Sequence, residues 1–364
     1  MDDAGGGRRG RRALWNTDVD DLLRSAWGLW PVGENADLGG STSLNLLVTD
    51  GSAHFVARIH RPSVTSARLG AIQDVRRYLH RRGVPCTEPV PTLWGKPFAV
   101  HEDRLVEAEP FIDAPDRMNT LGRVSSGVLT LGRIHADLLA LALNSAAAEA
   151  TFANYVPATG LRELVRVGSD RVRSWQPTPD EARLADEADE LAERVAGLGA
   201  AIPVEHVQLV HGDFWDNNVL LRDGDVVLVT DLDFLGPRPR VDDLALTLYF
   251  ASVDIEDLTT SPNMLATMIE RYETGLGSLL SEGERAALPI AMARQPLWSL
   301  AVWVAHLDSD RAARRHLAAV GRELDWARRL VTRVPGLQDF LINTPTGSGA
   351  LPTWRCGTPP IARS

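Results

Sequence analysis

The chain has 364 residues, of which 44% are hydrophobic and 24% charged, and this composition is typical of a globular protein. The formal net charge of -10 argues against nucleic acid as the main partner, and no apolar run in the sequence is long enough to span a membrane. A single core rarely organises a chain of this length, so we expect two lobes or domains.

Residues 1–15 are interpreted as a disordered basic arm, because their Gly- and Arg-rich sequence lacks the apolar run of a signal peptide. Only two cysteines occur, Cys86 and Cys356, and their spacing matches no metal or redox motif. We therefore expect a reduced, cytoplasmic setting. Lys96 is the only lysine in the chain, so an arginine in the place of a customary lysine can reflect composition alone.

Residues 16–108 predict a small β-rich lobe. Helical spacing of apolar residues, with Asn16 or Thr17 as the cap, predicts a helix over residues 16–29. LNLLVTD and AHFVARIH predict the two strands of a hairpin. Residues 66–82 predict an amphipathic helix, and PFAVHED and RLVEAEPFI predict two further strands.

The remainder of the chain predicts a short connector, a larger helical lobe and a loose tail. The connector takes residues 109–116, the helical lobe residues 117–340, and the tail, rich in Pro, Gly, Ser and Thr, residues 341–364. Within the lobe we expect helices at SSGVLTLGRIHADLLALAL and at residues 179–199, a strand-rich island at 207–234, and mostly helix to about residue 333.

The polar residues best suited to chemistry lie in residues 209–246. An HGD sequence ending at Asp213 follows an apolar strand, and an Asp-Gly turn at residues 223–224 separates two further apolar strands. The predicted hairpin brings Asn218 and Asp231 together at its two ends. Because Asp213 lies just before the hairpin, three oxygen-bearing side chains are expected to converge.

These residue types suit phosphoryl transfer, whose transition state needs positioning and neutralisation of charge more than covalent chemistry. Mg²⁺ takes oxygen ligands, usually one or two carboxylates together with phosphate oxygens and water. Asn218 and Asp231 are therefore the candidate metal ligands. Asp213, beside them, is the candidate base that accepts the proton of a substrate hydroxyl.

The spacing of Asp213, Asn218 and Asp231 resembles that of kinase catalytic loops, in which an Asp is followed by four residues and then an Asn. The HGD start and the later Asp243-Leu244-Ala245 resemble the aminoglycoside phosphotransferase and choline kinase superfamily, in particular its homoserine-kinase-like bacterial branch. The resemblance implies that Asp213 is the base, that Asn218 and Asp231 hold Mg²⁺, that Asp243 supports the catalytic loop and that His211 is structural.

The same resemblance implies a fold. It is a two-lobed, protein-kinase-like α+β fold with a small β-rich N-lobe, a larger and mainly helical C-lobe, and ATP or GTP in the cleft between them.

The N-lobe offers candidates for binding the nucleotide. Gly39, Gly40, Ser41 and Thr42 precede a strand, and glycines let backbone amides approach phosphate closely. Arg58 lies where kinases carry the lysine that pairs with the α- and β-phosphates. Arginine keeps the charge of that lysine but not its compact geometry.

Two further features of the N-lobe concern the nucleotide. The helix at residues 66–82 contains no glutamate to pair with Arg58, so Asp74 or its neighbour Gln73 is the candidate replacement. Glu109 and Phe111 fall in the connector, whose backbone pairs with adenine in this superfamily, and they are assigned to nucleotide binding by position.

Other polar and aromatic residues have more than one interpretation. Asp233 is either a second metal ligand or a polar residue at a strand end. His135 resembles part of a helix element of the superfamily and is interpreted as a packed structural histidine. Trp298 and Trp303 are five residues apart on a late helix and belong either to the core or to the acceptor site.

The sequence thus predicts an ATP-dependent phosphotransferase that phosphorylates a hydroxyl of a small molecule, such as an aminoglycoside or other antibiotic, an amino alcohol or a sugar, with no nucleic acid or membrane partner. One alternative is a bacterial Ser/Thr protein kinase, although the eleven residues between Asp231 and Asp243 leave little room for a peptide-docking loop. A second is an inactive nucleotide-binding pseudokinase. Arg58 and the missing helix glutamate favour it, whereas the intact catalytic Asp, Asn and Asp argue against it.

Overall fold

The computed structural model describes residues 12–40, 43–141, 145–148, 155–255, 261–307 and 309–343. Most of the predicted basic arm and of the predicted tail lies outside these ranges. Within them, no helix combines the length and the apolar character needed to span a bilayer.

The N-lobe is an antiparallel sheet with two helices. Its strands pair in the order β1-β3-β4-β6-β5, and β2 also pairs with β3. The strands are β1 (Trp30–Pro31), β2 (Asp37–Gly39), β3 (Leu44–Thr49), β4 (His54–Ile59), β5 (Ala99–His101) and β6 (Arg104–Pro110). The helices are α1 (Thr17–Trp27) and α2 (Ser66–Arg81).

Alternation of apolar residues explains how α1 packs on the sheet. Leu44 and Leu46 of β3 are buried with Leu23 of α1 in one hydrophobic cluster. The cap of α1 is Asn16, whose side chain accepts a hydrogen bond from the Val19 amide at 3.1 Å. The predicted hairpin and both predicted helices of this lobe are confirmed.

The C-lobe is mainly helical and contains two antiparallel strand pairs. Its helices are α3 (Leu121–Leu139), α4 (Ser145–Ala148), α5 (Leu161–Ser174), α6 (Pro179–Gly199), α7 (Arg240–Asp254), α8 (Pro262–Leu276), α9 (Glu282–Arg294) and α10 (Asp310–Asn343). The strand pairs are β7 (Val207–Val210) with β10 (Gly236–Pro239), and β8 (Val219–Arg222) with β9 (Asp225–Val229).

The predicted α+β, two-lobed architecture is confirmed, and most differences lie in the helices of the C-lobe. Helix α6 has the predicted ends because Thr178 and Glu181 form a capping box at its start. Helix α5 was not predicted, and no side chain caps its start at Gly160. Helix α10 runs ten residues beyond the predicted end and passes through Pro335, a residue that usually ends a helix.

The two lobes are joined at two edges. On one edge, backbone hydrogen bonds of 3.2 and 3.1 Å pair Asp116 of the connector with Leu221 of β8. On the other edge, Arg68 of α2 donates to the backbone oxygens of Ala147 at 2.8 Å and Asp233 at 3.2 Å. These contacts fix the cleft in which the candidate residues lie.

The first described residues also contact the N-lobe sheet. Residues 12–15, predicted to be part of the basic arm, lie against it, where Ala13 is buried and Arg12 pairs with Asp37.

Candidate active site

The HGD loop follows β7 directly and is held from behind by Asp243 of α7. One carboxylate oxygen of Asp243 accepts the amide of His211 at 3.0 Å, and the other accepts the amide of Gly212 at 2.9 Å. The side chain of His135 contacts the same carboxylate at 3.2 Å. All of these groups are buried. The resemblance had implied this supporting role for Asp243.

The protonation of this buried cluster follows from its contacts. Burial favours the neutral form of Asp243, but His135 and His211 outweigh that effect and hold the pKa of the carboxyl below its usual value. Burial lowers the pKa of His211. The His211 ring accepts the Asp213 amide at Nδ1 (3.2 Å), so its proton lies on Nε2, which donates to the Thr230 oxygen at 3.1 Å. His211 and His135 therefore position the loop.

Gly212 is required by the shape of this loop. Its backbone has a φ of 80°, which side chains rarely tolerate, and an added Cβ would collide with the backbone oxygen of Phe234. The close approach places the turn after β9 directly against the HGD loop. This contact brings the two halves of the predicted site together.

Asp213 and Asn218 form the centre of the site. The side-chain amide of Asn218 donates to the Asp213 carboxylate at 2.8 Å and to its backbone oxygen at 2.9 Å. Both residues are buried. Strand β8 begins at the residue after Asn218. The backbone amide of Thr230 donates to the backbone oxygen of Asn218 at 3.0 Å, and this hydrogen bond closes the hairpin immediately before Asp231. The predicted hairpin and its placement of Asn218 and Asp231 at the two ends are found in the structure.

Asp231 meets Arg58 across the cleft. The distance between Nη1 of Arg58 and Oδ1 of Asp231 is 3.1 Å, and Asp233 lies 4.0 Å from the same guanidinium nitrogen. These carboxylates outweigh the effect of burial and raise the pKa of Arg58 further above its already high value. The candidate phosphate-binding residue and a candidate metal ligand are therefore paired directly.

The oxygens at this position fit Mg²⁺. Asn218 donates through its nitrogen, which leaves its side-chain oxygen for a cation. Oδ1 of Asp231 is buried and accepts no hydrogen bond from the described residues, because its ion pair with Arg58 lacks hydrogen-bond geometry. No group of three His, Cys, Asp or Glu residues in the described ranges could hold a metal by itself. Two protein oxygens are what Mg²⁺ needs when phosphates complete its shell.

A buried ionic network takes the place of the usual pair between a strand lysine and a helix glutamate. Its acids, Glu107 and Glu109, lie on β6, and its base, Arg76, lies on α2. Arg76 contacts both oxygens of Glu107 at 3.0 Å and also pairs with Glu109. Gln73 donates to Glu107 at 2.8 Å. The expected pair has its positive charge on a strand and its negative charge on the helix, whereas here the helix carries the positive charge and the strand the negative charges.

The candidate Asp74 is wrong as a partner of Arg58, because it is exposed and pairs with Arg77 at 2.8 Å. Gln73 is buried in the network, but it contacts Glu107 instead of Arg58. Neighbouring helix residues are about 100° apart around the helix axis, and only the face with Gln73 and Arg76 meets the sheet.

His60 connects this network to Asp233. Its Nε2 lies 3.3 Å from Glu107, and its Nδ1 lies 3.8 Å from Asp233. Burial disfavours the charged ring, but the two carboxylates outweigh it and raise the pKa of His60 to about 9. Burial favours the neutral form of Asp233, but His60 and Arg58 outweigh it and hold the pKa of Asp233 below its usual value. Asp233 lies in a turn of 3₁₀ helix (Leu232–Phe234) and is an ion-pair partner of these two residues.

The roles of His60, Arg76 and Glu107 were not predicted from the sequence. Residues two apart in a strand lie on the same face of the sheet. This rule could have placed His60 on the face of Arg58, and Glu107 on the face of Glu109.

The glycine loop, residues 39–42, precedes β3, and β3 pairs with the strand that carries Arg58. Gly39 and Gly40 have φ values of 92° and 119°, and a Cβ on Gly40 would collide with the backbone of Ser43. The side chain of Asn45 donates to the Gly39 oxygen at 3.0 Å and holds the bend. Ser41 and Thr42 lie outside the described residues.

The two candidates near the connector are engaged inside the N-lobe. Glu109 belongs to β6, and its carboxylate contacts Arg76 and accepts the Thr87 hydroxyl at 2.6 Å. The amide of Phe111 donates to the His54 oxygen at 3.0 Å. Their assignment to the nucleotide stays a prediction.

A protein-kinase-like fold with its polar residues at the meeting of the two lobes is the architecture of small-molecule kinases. The chain belongs to the phosphotransferase enzyme family, whose sequence profile matches residues 35–290. It is thus a phosphotransferase that acts on hydroxyl groups of small molecules. Among proteins of curated function, no sequence is significantly similar to it.

Solved structures share the fold at low sequence identity. The amicoumacin kinase hAmiN, in complex with AMP-PNP, Ca²⁺ and amicoumacin, is 13% identical with a TM-score of 0.60, over 93% of this chain and 96% of that one. An aminoglycoside phosphotransferase from Alicyclobacillus acidocaldarius is 15% identical with a TM-score of 0.60, over 92% and 99%. A microcompartment-associated aminopropanol kinase is 18% identical with a TM-score of 0.57, over 87% and 98%.

Proposed function

We propose that the protein transfers the γ-phosphate of ATP, or of GTP, to a hydroxyl of a small molecule, with Asp213 as the base. The orientation of the Asp213 carboxylate by Asn218 at 2.8 Å carries this proposal. A catalytic base must lie within hydrogen-bond reach of the proton that it accepts, in a fixed orientation. The hydrogen bonds that two backbone amides of the HGD loop donate to Asp243 supply that rigidity.

Asn218 and Asp231 are the residues that we assign to Mg²⁺. When bound, Mg²⁺ neutralises charge on the phosphate oxygens. Arg58 offers a permanent positive charge next to Asp231, and phosphate oxygens compete with carboxylates for a guanidinium group. We therefore expect the nucleotide to take Arg58 from Asp231, which leaves the carboxylate for the metal.

Structurally similar proteins suggest the classes of acceptor to test. Their names refer to amicoumacin, to aminoglycosides and to aminopropanol. We propose an acceptor from the same broad set, namely a hydroxylated antibiotic, an amino alcohol or a sugar. Fold alone does not select among them.

The test is turnover of Mg-ATP and Mg-GTP against a panel of such acceptors, comparing the wild type with Asp213→Asn. The amide keeps the shape of the side chain but cannot accept the proton, so we expect kcat to fall by about 10²- to 10⁴-fold. Asp223→Asn is the matched control, because Asp223 lies in the β8–β9 turn with a φ of 54° that Asn tolerates. An active Asp213→Asn protein would contradict the proposal.

A nucleotide-binding module without catalysis is the second candidate. The ion pair between Arg58 and Asp231 favours it, because this pair engages two residues that catalysis would use. It predicts binding of Mg-ATP with no turnover of any acceptor. Docking of a peptide has less support, because the 3₁₀ turn, β10 and the start of α7 take up the residues between Asp231 and Asp243.

A further inference from the structure

A cavity of about 660 Å³ lies in the C-lobe, apart from the catalytic residues described above. Its wall includes residues 155–159, the end of α6, α9 and a π-helical turn (Ser299–Val304). Its volume lies within the range of about 300–1,000 Å³ that is typical of sites for small organic ligands. Apolar residues dominate its wall, among them Val156, Leu164, Ile202, Ala287, Trp298 and Val302.

Two polar groups in this wall have no hydrogen-bond partner among the described residues. They are the hydroxyl of Tyr155 and Nε of Arg294, and both atoms are buried. Tyr155 is 2% exposed and Arg294 is 4% exposed. A buried polar group without a partner costs about 1–3 kcal/mol. Both atoms are covered by the lining of the cavity, so a small shift of that lining would let a ligand oxygen accept from either group and remove this cost. Burial and nearby carboxylates raise the pKa of Tyr155, which keeps its hydroxyl a donor.

Two acids of the wall pair with arginines, whereas Glu205, also in the wall, accepts a hydrogen bond from Ser281 and forms no ion pair among the described residues. Asp242 pairs with Arg294. Glu284 accepts two hydrogen bonds from Arg240, at 2.6 and 2.8 Å. The guanidinium of Arg238 lies 5.6 Å from the ring centre of Tyr155. A negatively charged ligand would bring an uncompensated charge into a largely apolar space beside Glu205, at a high desolvation cost.

We propose that this cavity binds a largely apolar organic molecule without negative charge that presents a hydrogen-bond-accepting oxygen to Tyr155 and Arg294. The π-helical turn in the wall supports a binding role, because such turns occur frequently at functional sites. Trp298 adds an aromatic surface and is held by an edge-to-face contact with Trp303, with 5.4 Å between the ring centres.

The cavity adjoins the catalytic loop from behind. Nη1 of Arg238 lies 2.7 Å from the position that a Cβ would take at Gly212, and Asp242 is the neighbour of Asp243, which holds the loop amides. The ligand is therefore either the apolar body of the phosphate acceptor or a separate molecule that acts on the loop. Both sources have the same chemistry.

The first test uses Prodan, an uncharged naphthyl ketone whose emission shifts to the blue in apolar surroundings. We expect one Prodan per chain to bind with a blue shift. Ala287→Trp fills the cavity and should weaken binding at least tenfold, whereas Ala286→Trp, one position along α9 and outside the wall, should not. Tyr155→Phe should weaken it about fivefold, which corresponds to one hydrogen bond. Unfolding curves of each variant verify that it folds.

Absence of Prodan binding to the folded wild type, or equal binding by the two Trp variants, would overturn the proposal. This measurement needs no nucleotide, so it stands independently of the proposed phosphoryl transfer. Once an acceptor that is phosphorylated has been identified, the effect of Prodan on its turnover distinguishes whether the cavity binds the acceptor or a separate ligand. Competition with the acceptor assigns the cavity to the acceptor, and inhibition or activation without competition assigns it to a separate ligand.

Discussion

Arg58 of strand β4 and Asp231 at the end of the β8–β9 hairpin form an ion pair across the cleft, with 3.1 Å between Nη1 and Oδ1. The Arg58 side chain is 10% exposed and the Asp231 side chain 33%. The pair joins a strand of the small lobe to the candidate metal site of the large lobe. The charge state of the site is therefore set by residues from both lobes.

Replacement of Arg58 tests this relationship. Arg58→Met should weaken binding of Mg-ATP at least tenfold, because strand β4 loses the guanidinium that would meet the phosphates. It should also lower the free energy of unfolding by about 3 kcal/mol, since Asp233 and Asp231 lose a buried partner. Arg58→Lys keeps the charge and should restore most of the binding, measured by calorimetry. Wild-type affinity in Arg58→Met would show that Arg58 does not contact the nucleotide.

Arg76 and Arg77 are a matched pair for testing the exchanged charges of α2 and β6. Arg76→Met leaves Glu107 and Glu109 buried without their cation, so we expect a loss of about 3–5 kcal/mol in the free energy of unfolding. Arg77 forms an exposed pair with Asp74, and Arg77→Met should change stability by less than about 1 kcal/mol. Urea unfolding measures both, and similar losses would refute the structural role of the network.

The raised pKa of His60 predicts a dependence of stability on pH. The folded-state pKa of about 9 exceeds the unfolded value of 6.5, so its stabilisation is complete below about pH 6.5 and is lost as the pH rises through about 9. The stability lost by His60→Gln should thus be roughly 3 kcal/mol larger at pH 6 than at pH 10. His54→Gln, at an exposed position at the start of β4, is the control. A difference that does not vary with pH would contradict the prediction.

Asp243 gives a test of loop positioning. Asp243→Asn keeps one acceptor for the HGD amides and loses the other, so we expect kcat to fall at least tenfold. Affinity for Mg-ATP should stay within about twofold, because among the described residues the side chain hydrogen-bonds to the backbone of the loop and to His135. Steady-state kinetics and calorimetry separate the two effects. Unchanged kcat would show that the loop keeps its geometry without this carboxylate.

The site in the large lobe could be predicted because its residues are close in sequence. A strand, a loop and a hairpin between residues 209 and 231 determine where Asp213, Asn218 and Asp231 lie, and local turn signals define that path. The partner of Arg58 could not be found in this way. Its identity depends on how β4 faces a hairpin more than 170 residues later, and no local pattern encodes that packing.

The helix α2 illustrates the same limit on a smaller scale. The sequence presents Gln73, Asp74 and Arg76 as neighbours, and only the orientation of the helix on the sheet decides which of them is buried. The expectation of an acid on this helix came from resemblance. It failed because Glu107 and Glu109 on the facing strand already supply the negative charge.

The attachment of the lobes at both edges has a consequence for how a nucleotide enters. A cleft that opens by rotation of one lobe about a hinge needs one edge without contacts between the lobes. Here Asp116 is hydrogen-bonded to β8 on one side, and Arg68 of α2 is hydrogen-bonded to the large lobe on the other. Wide rotation of the lobes would break one of these attachments. We therefore expect a nucleotide to enter a cleft whose two lobes keep nearly the same spacing with and without it.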